Sequence, residues 1–262
     1  MKQGWHRTVL RMGVVCAVLA AAFPAGATEP LCPPDPPLPT LALPHLRAAL
    51  AAGTPVTIVA LGSSSTEGVM ASGPEEAYPA ELADALRAAL PRHRIAVLNQ
   101  GVGGEDVGHE TARMDRSVFA YRPQVVIWQV GANAALHGAD PERFRHLVTA
   151  GVRRMQARGI DVVLMDNQRS PRLLAAPKDA VFDRLLAEVA RKTGATLFSR
   201  DRLMRGWERA GEGAEQFIAT DALHHNDRGY ACVAGALARR MLAAVGAPAS
   251  APLQLVDNDK RE

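Results

Sequence analysis

The sequence predicts an α/β protein, a three-layer α/β/α sandwich around a five-stranded, mostly parallel sheet. Three observations carry that expectation. Strand-like apolar runs alternate with segments of helical period five times over, the pattern that crossover connections between parallel strands leave in a sequence. Two of the runs, VTIVAL at 56–61 and VVIWQV at 125–130, are apolar almost without interruption, as strands buried on both faces must be, so neither reads as a sheet edge. The chain has 262 residues, 48% hydrophobic and 22% charged, enough to bury one core of ordinary size without a disulfide scaffold.

The elements follow in order. Residues 1–27 read as a secretory signal: Lys2, Arg7 and Arg11 form the basic flank, Met12 to Ala22 is apolar, and Ala25-Gly26-Ala27 offers small residues for cleavage. The apolar stretch is too short to span a bilayer and Pro24 follows it, so no stable membrane insertion is expected; an uncleaved anchor is the alternative. Cys16 follows Val15, where a lipoprotein signal needs a small residue. From Glu29 to Pro44 the sequence EPLCPPDPPLPTLALP favours an extended arm, poor in hydrogen bonds and lying outside the packed domain, which the composition places at 45–247. Strands are expected at 56–61, 94–98, 125–130, 161–165 and 195–198, and helices at 45–52, 78–90, 106–120, 141–158, 178–192 and 227–244. Residues 248–262 turn to proline, alanine and then charge, and read as a frayed tail. No internal repeat interrupts this order.

Charge narrows the partners. Removal of 1–27 deletes three basic residues and no acidic one, so 30 Lys and Arg become 27 against 27 Asp and Glu. The mature chain is formally neutral, and no nucleic-acid partner is expected. Of the three cysteines, Cys32 and Cys232 survive cleavage. In an oxidising compartment they can pair and tie the arm to the last helix; the bland alternative for Cys232 is a buried free thiol.

In an open parallel sheet, ligands bind outside the carboxyl ends of the strands. The segments there are GSSSTEG, NQGVGGEDV, GANAALHG and DNQRSPR, with DALHHNDRGY before the last helix. A serine hydroxyl is a poor nucleophile until an imidazole accepts its proton and a carboxylate holds that imidazole in one tautomer. DALHH supplies both: Asp221 and His224 are three positions apart, close enough in a turn for the acid to bond Nδ1 while Nε2 points toward one of the serines, 63 to 65. An oxyanion needs donors as well, and Gly104 and Asn133 stand in the neighbouring strand-end loops.

Four blocks in this order resemble the SGNH (GDSL-type) hydrolase family, over residues 56 to about 229. Gly62-Ser63-Ser64 is similar to the family's Gly-Asp-Ser, which singles out Ser64 as nucleophile with its own backbone N–H in the oxyanion hole. Gly104 falls on the glycine of the second block, Gly131 and Asn133 on the third, and Asp221 and His224 on the last. The resemblance implies a sandwich of the flavodoxin-like kind. It implies hydrolysis of a carboxylic ester, on a small ester or an acylated carbohydrate, with catalytic Ser64, His224 and Asp221, oxyanion donors Ser64, Gly104 and Asn133, and no metal or organic cofactor. The chain departs from the family twice, with Ser63 in place of an aspartate and Ala134 in place of a second acid. Those departures keep a noncatalytic saccharide-binding module in play, and a lipid esterase, a lysophospholipase or an acyltransferase would use the same scaffold. Oligomeric state leaves no trace in the sequence.

Other residues have plainer readings. Gly101 and Gly103 read as turn glycines that need positive φ. His225 sits among Asp221, His224 and Asp227, yet no second histidine motif with ligand spacing supports a metal site, and Asn226 or Asp227 reads as the cap of the last helix. Trp128 belongs in the core. Asn167, Gln168 and Arg169 either line the pocket or form a solvated loop.

Overall fold

A computed structural model describes Met1 and residues 32–247. The expected signal at 1–27 and the tail at 248–262 lie outside the described residues, Met1 apart. The helices are α1 (Pro44–Ala51), α2 (Ser64–Glu67), α3 (Tyr78–Ala89), α4 (Val107–Ala112), α5 (Met114–Ser117), α6 (Ala132–Leu136), α7 (Pro141–Gln156), α8 (Pro171–Leu174), α9 (Asp179–Thr193), α10 (Arg200–Arg209) and α11 (Asp227–Val245). The strands are β1 (Val56–Gly62), β2 (Ile95–Gly101), β3 (Val125–Gln129), β4 (Asp161–Met165) and β5 (Thr196–Phe198).

All five strands pair in parallel, in the order β2-β1-β3-β4-β5. Both continuous apolar runs therefore lie inside the sheet, as their lack of alternation requires. Period-two geometry then sorts their side chains. Ile58, Ala60, Val125, Ile127, Val163 and Met165 pack with α1, α3, α10 and α11 on one face. Val59, Leu61, Val126, Trp128, Val162 and Leu164 pack with α7, α9 and the shorter helices α4, α5, α6 and α8 on the other.

The order reverses between β1 and β3, because the chain leaves β1 for β2 on one side and returns to β3 on the other. A crevice opens at such a switch point. Register fixes its level: Gly62 pairs with Gly101 and Leu61 with Trp128, so the segments after β1, β2 and β3 emerge side by side.

Four expectations need correction. The arm is extended, but from residue 32 on it is packed: Leu38, Leu41 and Leu43 are buried in the core, and the Arg239 guanidinium grips both oxygens of Asp35 at 2.7 Å. Its prolines remove strand and helix without removing apolar contact area. The helix expected over 106–120 is broken at Arg113 into α4, α5 and a short 3₁₀ turn at Phe119–Tyr121; Val107, Met114 and Val118 keep an apolar spacing across the break, so periodicity alone reads through it. α10 was not anticipated. Its arginines mask a short apolar face of Leu203, Met204 and Trp207, all buried, and Ser199 caps it by accepting from Arg202 N. In the loop after β2, Gly101 and Gly103 do not have the positive φ expected of them. Cys32 and Cys232 are joined in a disulfide, with Cα atoms 5.4 Å apart, which ties the arm to α11.

Candidate active site

β1 ends at a glycine for a steric reason. A Cβ on Gly62 would lie 2.3 Å from Thr66 Oγ1 and 2.9 Å from Gln129 O and Oε1, because the chain folds straight back into α2. Gln129, fully buried at the end of β3, holds that turn: its Oε1 accepts from Ser63 N at 3.1 Å, Ser63 Oγ at 3.3 Å and Thr66 Oγ1 at 3.1 Å. Ser63 and Ser65 are buried, whereas Ser64 is partly exposed at the first position of α2. Among the three serines, Ser64 alone presents its hydroxyl to the crevice side.

The His224 ring meets that hydroxyl, with Nε2 2.7 Å from Ser64 Oγ. On its far side, Nδ1 is 2.5 Å from Asp221 Oδ2. A carboxylate only accepts, so the pair fixes a proton on Nδ1 and leaves Nε2 free to accept from Ser64. Asp221 is itself anchored, since its Oδ1 accepts from the backbone N–H groups of Leu223 and His224 at 3.0 Å each. Burial alone would raise the Asp221 carboxyl, but the bonds from the His224 ring and these two N–H groups outweigh it and hold the group below the usual aspartate range.

The three-residue spacing works because Ala222 adopts φ +58°, the left-handed region that favours glycine, and so turns the loop tightly. Asn226 ends the loop by capping α11, accepting from Gly229 N at 2.9 Å. Below the loop, Gln168 donates to Leu223 O at 2.9 Å and to Ser65 Oγ at 3.2 Å, joining the two halves of the site.

The glycine-rich loop after β2 corrects one expectation. Only Gly104 of its glycines has positive φ, +78°. Gly101 is needed for closeness, since a Cβ there would sit 2.0 Å from Glu67 N, and Gly103 stands against the Glu67 carboxylate. The Asn133 side chain reaches back to this loop, donating from Nδ2 to Glu105 O at 2.7 Å. Asn133 and Gly104 are thus brought to one rim of the crevice. Ala134, where the resemblance would put an acid, is on α6 and buried in the core.

The remaining candidates resolve plainly. His225 is fully buried, donates from Nδ1 to Phe217 O at 3.1 Å, and is pushed down to about 3 by burial, helped by Arg200; among the described residues no metal-binding cluster forms. Trp128 is in the core, donating to the buried Glu110 carboxyl at 2.7 Å. Asn167 and Gln168 are buried, contrary to a solvated loop, and Arg169 is committed to Asp201 and Glu208. Sequence reasoning missed Gln129, Glu105 and Arg113. A glutamine inside the apolar run VVIWQV was the one available signal, because a buried amide must be explained.

The family model described as the Non-GDSL lipase-like family matches residues 32–247. The chain belongs to that family. Its SGNH (GDSL-like) resemblance is therefore upheld, and the match begins at Cys32, so this family's domain includes the proline-rich arm. No curated protein matches the chain. Among solved structures, a two-domain esterase (CEX) active on acetylated mannans, co-crystallised with mannopentaose, is 23% identical with a TM-score of 0.68; 82% of this chain is covered and 58% of that one. The chain thus spans little more than half of the two-domain esterase. A variant of Axe2, an acetylxylan esterase from Geobacillus stearothermophilus, is 18% identical with a TM-score of 0.58, covering 75% of this chain and 96% of that one. The acetyl xylan esterase AlAXEase is 20% identical with a TM-score of 0.59, covering 72% and 100%. At these identities the likeness is one of fold.

Proposed function

We propose that this protein is an exported serine ester hydrolase that removes small acyl groups, acetyl above all, from carbohydrate. The observation that carries the reading is the unbroken line Asp221–His224–Ser64, with a 2.5 Å contact from Asp221 to His224 and a 2.7 Å contact from His224 to Ser64, 160 positions away in sequence. Such a line turns a weak hydroxyl into a nucleophile. Ser64 Oγ bonds to the acyl carbon while its proton passes to His224 Nε2, and Asp221 stabilises the imidazolium. The backbone N–H groups of Ser64 and Gly104 and the Asn133 amide receive the oxyanion. As the intermediate collapses, the ester C–O bond breaks and His224 returns the proton to the departing sugar oxygen. Water then gives a proton to Nε2 as its oxygen bonds to the acyl carbon, and the acid leaves as Ser64 regains its hydrogen. Apart from the ester and water, every group in this cycle belongs to the chain, and the cycle as proposed calls on no metal or organic cofactor.

Two further observations support substrate and location. Three proteins that share the fold are esterases of acetylated mannan or xylan by name. The Cys32–Cys232 disulfide suits an oxidising compartment, in keeping with the signal read at 1–27, and among the described residues no helix is long and apolar enough to cross a membrane. The test is covalent labelling with a fluorophosphonate, followed by mass mapping, alongside rates on acetylated polysaccharide and on acetyl and long-chain nitrophenyl esters. Label on Ser64 and a preference for acetyl esters are expected; Ser64→Ala should lose label and turnover together. Full turnover in Ser64→Ala would end the reading, and a clear preference for long chains would move it to lipid esters.

A further inference from the structure

One buried guanidinium joins the loops from which this site is built. Arg113, 4% exposed, stands at the break between α4 and α5. Its Nε donates to Glu105 Oε2 at 2.5 Å, and its Nη2 donates to the carbonyls of Gly62 at 3.1 Å and Gln100 at 2.8 Å. Gly62 closes β1 two residues before Ser64, and Gln100 precedes the loop that carries Gly104. Glu105 follows Gly104, and its own carbonyl accepts the Asn133 amide at 2.7 Å. A single side chain therefore grips the serine strand and the glycine loop directly, and Asn133 at one remove.

We propose that Arg113 is a positioning residue for the reaction: by clamping Glu105 against the ends of β1 and β2, it aims the Asn133 amide at the place where the oxyanion forms. This inference rests on the roles proposed above for Ser64, Gly104 and Asn133. The chemistry is that of a primary amide with two N–H groups. One is held by Glu105 O, which stops rotation about the amide axis, so the other keeps one direction before substrate arrives. Arginine suits the clamp because its planar fork reaches a carboxylate and two carbonyls at once, which a lysine ammonium on a flexible stem does not. Glu110, fully buried nearby, does not compete for it. Its carboxyl accepts from Trp128 Nε1 at 2.7 Å and burial pushes it up to about 8, while the side chain that meets the guanidinium is that of Glu105.

The experiment is a double-mutant cycle on a nitrophenyl acetate, with Arg113→Gln, Asn133→Ala and the pair. Arg113→Gln should lower kcat by about 10²-fold while KM stays within about two-fold, the signature of misplacing a group that acts in the transition state. In the Asn133→Ala background the same change should cost little more, because the group it aims is already gone. Arg113→Lys should fall between wild type and Arg113→Gln. Losses that multiply in the double variant, or an unchanged kcat in Arg113→Gln, would overturn the proposal. Should Arg113→Gln fail to fold, Glu105→Gln carries the same two outcomes, since it weakens the clamp from the loop side and leaves the carbonyl in place. Failure of the underlying reading shows elsewhere, as activity retained by Ser64→Ala.

Discussion

Gln168, just beyond β4, donates to the Ser65 hydroxyl at 3.2 Å. The same Nε2 donates to Leu223 O at 2.9 Å, so one buried amide connects the residue after Ser64 to the residue before His224. The distance between the proposed nucleophile and its base is thus set from below, by a side chain that touches neither.

Gln168→Ala should therefore damage turnover more than substrate binding. Two buried groups would lose their donor, at a cost of about 1–3 kcal/mol in stability, and the Ser64–His224 contact would loosen. Urea unfolding together with kcat and KM checks both parts; a stable variant with wild-type kcat would show that the serine turn and the histidine loop hold their spacing without it.

Stability should fall as pH rises above neutral. Burial pushes the Glu110 and Asp183 carboxyls up to about 8 and Asp166 up to about 7. A carboxyl raised on folding binds its proton more tightly in the folded state, so its contribution is complete below the unfolded value, near pH 4, and disappears as pH climbs through the folded one. His225, pushed down to about 3, works in the opposite sense but only below its unfolded value of about 6.5. The window from about pH 6.5 to about pH 9 isolates the carboxyls. Thermal melts across it should show a declining Tm, and Glu110→Gln, which keeps the shape and the Trp128 bond, should flatten the decline. A Tm that holds level or rises in this window would contradict the assignment.

Reduction should lower the melting temperature. The Cys32–Cys232 bridge closes a loop of 200 residues, for which chain entropy gives about 5 kcal/mol as an upper figure. Melts of wild type with and without reductant, compared with Cys32→Ala, measure it. The variant should melt with the reduced protein, and indifference of wild type to reductant would count against the bridge.

Ala222→Gly should hold or gain stability. Ala222 occupies φ +58°, where a Cβ costs about 1–2 kcal/mol, and glycine removes that cost while adding freedom to the unfolded chain. Ala222→Val, with a branched Cβ in the same conformation, should lose both stability and kcat. A valine variant as stable and active as wild type would mean that the loop reaches Asp221–His224 contact by another route.

What the sequence determined by itself was the periodic part of the molecule and the chemistry of its exceptions. Continuous apolar runs at β1 and β3 mean strands buried on both faces, and that physics is local to the run, so their central place in the sheet was legible. The candidates Ser64, Asp221 and His224 were legible because a Gly-x-Ser after the first strand and an Asp-x-x-His before the last helix follow the order of the family's blocks. Tertiary structure alone decided the rest. That Ser64 and not Ser63 or Ser65 is open to the crevice depends on Gln129 binding one neighbour and Gln168 the other, from positions 66 and 103 residues away. That 106–120 breaks at Arg113 depends on three acceptors contributed by other segments. Periodicity records which face of an element is buried; it carries no record of which distant polar group a side chain will find there, because that pairing exists only once the sheet has brought the strand ends together.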